Sequence, residues 1–194
     1  VLARLLLPEQ FGLIGMLSVF LALGRVFLDS GFGSALVQKQ DATEVHYSSV
    51  FYANIVLSLV AAGILCLAAP SIAQFYREPL LTPLTSVLSL HFVISALGLI
   101  QVFLMTKRLD FKTQTKVSLL ASLGSGAVGI GMALLEFGVW SLVAQSVSLT
   151  LFSTLLLWTS NAWRPRAAFS LAALRELFGF GSRLLASGLL NTLF

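Results

Sequence analysis

An all-α bundle of membrane-spanning helices is the fold class this sequence predicts, and three observations predict it. Hydrophobic residues make up 57% of the 194 and charged residues 10%, with a mean hydropathy of +0.93. Soluble domains carry about a quarter charged residues, so this chain is too apolar for water. Apolar runs recur near 11–35, 49–75, 83–106, 117–136 and 138–159, each near the roughly 20 residues a helical span requires. None alternates apolar with polar residues as a membrane barrel strand does, so backbone groups in lipid must be satisfied within helices.

The elements follow from the breakers between these runs. Pro8-Glu9-Gln10, Lys39 to His46, Arg77-Glu78-Pro79, Lys107 to Lys116 and Glu136-Phe137-Gly138 separate them. Shorter apolar stretches at 1–7 and 179–194 read as half-helices. The organisation expected is a transmembrane lobe over 1–159, a linker over 160–178 and the start of a further span at 179–194. No initiator methionine or signal peptide is evident, and the expectation is a piece of a longer membrane protein. Within the linker, "SLAALRELFGF" has helical periodicity. Leu171, Leu174, Leu177 and Phe178 form an apolar side and Ser170 an N-cap, which suits a helix lying along the inner membrane interface or one that docks a partner.

Charge gives the orientation. Lys39 follows the first full span, Lys107, Arg108, Lys112 and Lys116 the third, and Arg164, Arg166, Arg175 and Arg183 the fifth. The opposite side holds Arg4 and Arg77. The positive-inside bias therefore places 39–46, 107–116 and 160–180 in the cytoplasm. Trp158 and Trp163 on that side, with Tyr76 and Trp140 on the other, read as an aromatic belt. The excess of basic residues lies in short connections, so it is no nucleic-acid footprint, which needs a basic face on a folded domain. Cys66 stands alone, so no disulfide or thiolate metal site is predicted, and no metal or other cofactor is expected.

Polar residues recur along the runs at helical spacing: Gly15, Ser18, Ala22, Arg25 and Asp29; Asn54, Ser58 and Ala61; His91, Ser95, Gly98 and Gln101; Ser141, Gln145 and Ser148. Ser122 with Gly126, and Ser125 with Gly129, are small-x-x-x-small pairs that bring helices close. These stripes read either as helix–helix contacts or as the wall of a cavity. His91 is read either as a hydrogen-bonded packing residue or as an intramembrane titrating group. Arg25 lies about 21 Å along from Phe11 and Asp29 about 27 Å, inside a hydrocarbon core about 30 Å thick. Base before acid at i,i+4 is the poorer order, and a carboxylate near a helix C-terminus opposes the dipole. The pair is therefore either a buried ion pair or a guanidinium offered to an anionic ligand, with Asp29 orienting it. Gly31-Phe32-Gly33 reads as the end of that helix.

"LPEQFGLIG", "DSGFGSALVQKQD", "FYREPLL", "FGVWSLVAQ" and "WRPRAAFSLAALRELFGFGSRLLASGLLN" occur in the order of one family. In them the chain resembles the polysaccharide (O-antigen and exopolysaccharide) flippases of the multidrug/oligosaccharidyl-lipid/polysaccharide transporter superfamily, in the lipopolysaccharide-biosynthesis branch. The resemblance implies about twelve to fourteen spans built as two six-helix lobes around a central cavity, of which this chain would hold most of the N-terminal one and the start of the seventh helix. It also implies alternating-access transfer of undecaprenyl-pyrophosphate-linked oligosaccharide across the bacterial inner membrane, with other polysaccharide assembly proteins as partners. Asp29, Gly31 and Gly33 match the family's Asp-x-Gly-x-Gly stretch. Arg25 lies outside that pattern, and its ligand role rests on the charge argument. The wall residues expected are Arg25, Asp29, Asn54, His91, Gln101 and Gln145. Two rivals remain: a cation-coupled multidrug exporter of the same superfamily, and a membrane enzyme of polysaccharide assembly. The short connections and single intramembrane carboxylate favour neither.

Overall fold

Helix boundaries fall at the breakers. The computed structural model describes residues 5–28, 32–39 and 41–178, without the side chains of 23–28, 32, 34 and 38. It is all-helical there: α1 Pro8–Leu28, α2 Phe32–Gln38, α3 Glu44–Tyr76, α4 Leu81–Lys107, α5 Phe111–Leu134 and α6 Trp140–Ser160, with a further linker helix at 171–178. The four helices α3 to α6 are long and apolar enough to cross a membrane. Of the run expected as one span over 11–35, α1 is described as far as Leu28 and α2 from Phe32; residues 29–31, with the Gly31 of the expected helix end, lie outside the described residues. Gly33 lies within α2. Its lack of a side chain serves packing, because a Cβ there would fall inside the Phe103 ring of α4.

Three of the helices end in the same way, and none of them uses glycine. Arg77, Leu109 and Glu136 adopt φ of +59°, +57° and +59°. The amide after each reaches back to the helix: Glu78 to the Ala73 carbonyl at 2.9 Å, Asp110 to Met105 at 2.9 Å, and Phe137 to Met132 at 3.1 Å. These are Schellman closures, which satisfy carbonyls that the helix leaves open. Asp110 then caps α5, its carboxylate accepting from the Thr113 amide at 3.1 Å.

Side-chain contacts set the directions. Cys66 meets Ser89 at 3.1 Å and Tyr47 meets Lys107 at 3.2 Å, so α3 and α4 are antiparallel. Thr150 meets His91, Thr154 donates to the Ile94 carbonyl and Trp158 to the Leu97 carbonyl, so α4 and α6 run parallel. Gly124 lies against Phe152 and Gly129 against Gln145, so α5 and α6 are antiparallel. Two large apolar cores result, beside a small cluster of Met105, Val117 and Leu157. Leu17, Leu65, Ile72, Leu81, Leu84, Leu88, Phe92 and Val143 fill the half holding the 77–80 and 135–139 turns. Ala35, Leu36, Tyr47, Val50, Phe51, Ile100, Leu104, Trp163, Leu174 and Leu177 fill the other half. The three basic connections gather at that second end, where Lys107 Nζ donates to the Lys39 carbonyl and Arg108 reaches Asn161 at 3.5 Å.

Candidate functional site

Between the two apolar cores lies a layer of polar side chains on α3, α4 and α6. Asn54 is 1% exposed and Gln101 0% exposed, and the α3–α4 register puts them at one level. Gln101 spends its amide N–H on the Trp163 carbonyl at 3.2 Å, but its Oε1 has no hydrogen-bond partner among the described residues. Neither Oδ1 nor Nδ2 of Asn54 has one among them. A buried amide left so costs about 1–3 kcal/mol per group, and such groups are uncommon in folded proteins. A chain selected only for span stability would hold an aliphatic residue at position 54.

Two other expected wall residues, His91 and Gln145, lie at helix–helix contacts. His91 is buried on α4 with Nδ1 2.7 Å from the Thr150 hydroxyl of α6. Thr150 Oγ1 also lies 3.2 Å from the Ser146 carbonyl. Gln145 is half-buried on α6, where its stem covers Gly129 of α5. The α3–α4 register thus puts Asn54 and Gln101 at one level, while His91 and Gln145 occupy two other helix contacts. The Arg25 side chain, together with Asp29 and Gly31, lies outside the described residues. Of the two small-residue pairs on α5, Ser125 and Gly129 face a neighbour, whereas Gly126 has nothing near it.

A second feature escaped the sequence reading. The linker is fastened to the basic end of the bundle along its whole length. Trp163, expected in an aromatic belt, is 8% exposed. Its indole N–H donates to Glu44 Oε2 at 3.0 Å, and its ring packs edge-on to Tyr47 and Phe51. The fully buried hydroxyls of Ser48 and Ser49 accept the amides of Arg166 at 3.0 Å and Ser170 at 2.9 Å. Arg164 closes the end of α6 by donating to the carbonyls of Trp158, Asn161 and Trp163. The expected N-cap at Ser170 is present, its hydroxyl accepting from the Ala173 amide at 3.3 Å. Leu174 and Leu177 are buried in the bundle, while Leu171 and Phe178 of the same helix stay exposed.

Charge completes the fastening. Glu176 accepts from Lys39 Nζ at 2.7 Å and pairs with His46 Nε2 at 3.2 Å. His46 Nδ1 accepts the Thr43 amide at 3.2 Å, which leaves Nε2 as the nitrogen that carries the proton toward Glu176. The hydrogen bond from Lys39, then that from His46, hold the Glu176 carboxyl below its ordinary range. The bond to Glu176 first, and after it that to Asp41, raise Lys39 against the opposing effect of its burial. Beside the linker, an apolar hollow of about 740 Å³ is lined by Tyr52, Ala53, Val56, Leu57, Ala167 and Phe169, none of them an expected wall residue. No group of three or more His, Cys, Asp or Glu able to hold a metal occurs among the described residues.

With this geometry in place, comparison supplies the lineage. Residues 1–194 match the family described as "Polysaccharide biosynthesis protein". The chain belongs to that family. Among its relatives is the teichuronic acid biosynthesis protein TuaB of Bacillus subtilis, 30% identical over 172 residues, 87% of this chain and 35% of that protein. The succinoglycan biosynthesis transport protein ExoT of Rhizobium meliloti is 28% identical over 191 residues, 98% of this chain and 39% of that one. The lipopolysaccharide biosynthesis protein WzxC of Escherichia coli is 28% identical across all of this chain and 40% of its own length. The chain therefore spans well under half the length of these relatives. No solved structure matches it.

Proposed function

We propose that the protein of which this chain is part is a flippase. It carries a lipid-linked oligosaccharide, of the polyprenyl-pyrophosphate type, across the bacterial inner membrane for surface polysaccharide assembly. The match of the whole chain to the polysaccharide biosynthesis family carries this reading, and a relative named as a transport protein supports transport over enzymatic chemistry. The basic end faces the cytoplasm, following the positive-inside bias. Asn54 and Gln101 are wall residues. Their unpartnered amide groups suit hydroxyl-rich saccharide or phosphate oxygens, which offer both donors and acceptors. Arg25 supplies fixed positive charge to the pyrophosphate, with Asp29 orienting it, and His91 and Gln145 shape the helix contacts behind the wall.

The test is accumulation of lipid-linked saccharide on the inner leaflet in a strain lacking the full-length protein, and its clearance when the gene is restored. Normal polysaccharide export without the protein would overturn the reading.

A further inference from the structure

A segment that joins one bundle to the next part of a protein is expected to be a loose tether. Inter-domain connections are exposed and flexible, with few contacts crossing them. Residues 161–178 are the opposite. Attachments recur every few residues: Trp163 to Glu44 and Gln101, the Arg166 amide to Ser48, the Ser170 amide to Ser49, Leu174 and Leu177 into the core, and Glu176 to Lys39 and His46. Ser48 and Ser49 are telling. Serine hydroxyls with no exposed area on a helix are costly unless bonded, and here each is used to hold a linker amide.

We propose that residues 161–178 are a rigid bracket of the first bundle, pinned by Ser48, Ser49 and Glu176. Whatever part of the protein moves during transport, these residues move with the first bundle. This rests on the transport reading only in supposing that two parts move. The bracket transmits movement without bending, so force applied at Phe178 reaches α3 and the α2–α3 connection directly.

The experiment uses the full-length protein in a Cys66→Ser background with Ser49→Cys and Ser170→Cys. The Ser49 hydroxyl accepts the residue 170 amide at 2.9 Å, so the two residues are neighbours across the fastening, and a disulfide joins residues whose Cα atoms lie about 4.4–6.8 Å apart. The crosslink should form readily, and the crosslinked protein should export saccharide within about twofold of its reduced form, since no internal hinge is being locked. Failure of the crosslink to form, or a loss of export reversed by reductant, would overturn the bracket. An independent readout needs no transport. In hydrogen exchange on the unmodified full-length protein, the amides of Arg166 and Ser170 should be protected about as long as those in the first turns of α3. Exchange within seconds at both would also overturn it. Should deletion of the gene leave export normal, the flippase reading falls while crosslinking and exchange still judge the bracket.

Discussion

At the scale of single residues, Asn54 and Glu176 give the sharpest expectations. Replacing Asn54 by Leu removes two orphaned polar groups from the interior, so thermal stability in detergent should hold or rise, the relief being about 1–3 kcal/mol per group. Export should fall if the amide contacts the saccharide. A stable Asn54→Leu protein with undiminished export would take Asn54 off the wall. Glu176 predicts a pH dependence. Its carboxyl is depressed by the bonds from Lys39 and His46, so its contribution to the folded state is present above the ordinary carboxylate pKa of 4.5 and is lost as pH falls through the lower folded value. Protection of the amides along 166–178, taken relative to their intrinsic exchange rates at each pH, should therefore fall only in acid for the native protein. Glu176→Gln should be less protected at neutral pH and should lack that acid step. An identical profile for the two proteins would remove the ion pair from the fastening.

Helices show what a sequence can and cannot tell. The expected runs at 49–75, 83–106, 117–136 and 138–159 fall close to α3, α4, α5 and α6, because hydropathy over about 20 residues is a strong signal in lipid. Their ends were less legible, since Arg77, Leu109 and Glu136 turn the chain without the glycine that normally marks such a closure. Leu109→Gly should accordingly stabilise the protein by a few tenths of a kcal/mol to about 1 kcal/mol, read from the melting temperature. The glycine faces of α5 were legible as close-packing signals but not by direction. Gly129→Leu would drive its Cβ to 2.9 Å from Gln145 Cβ and separate α5 from α6. Gly126→Ala meets nothing within 4 Å and should gain about 0.5–1 kcal/mol of helix propensity. A matching loss of melting temperature in both variants would show that the packing assignment is wrong. Of the candidate wall, the residue types were readable and their grouping was not: it took the α3–α4 register to set Asn54 level with Gln101. The linker's fastening was hidden because its partners, such as Lys39 and Glu176, lie 137 positions apart.

For the molecule as a whole, the gathering of Lys39, Lys107, Arg108, Arg164 and Glu176 at one end makes a topological claim. A cysteine introduced at Lys112, in the Cys66→Ser background, should react with an impermeant maleimide only when the inner face of the membrane is opened. One at Glu136 should react from outside in intact cells. The reverse pattern would invert the orientation and with it the direction of export.

The length of α3 carries one more consequence. Its 33 residues amount to about 50 Å at 1.5 Å each, against hydrocarbon about 30 Å deep. The charged end bearing Glu44 and His46 carries the helix past its apolar run, and the bracket is bolted to that extension. Lipids of longer tail would submerge part of it, bringing the exposed Glu176 carboxylate of the fastening into oil. Reconstituted into bilayers of graded acyl length, the protein should therefore work over a band of thicknesses and fail abruptly once the rim of the oil reaches Glu176.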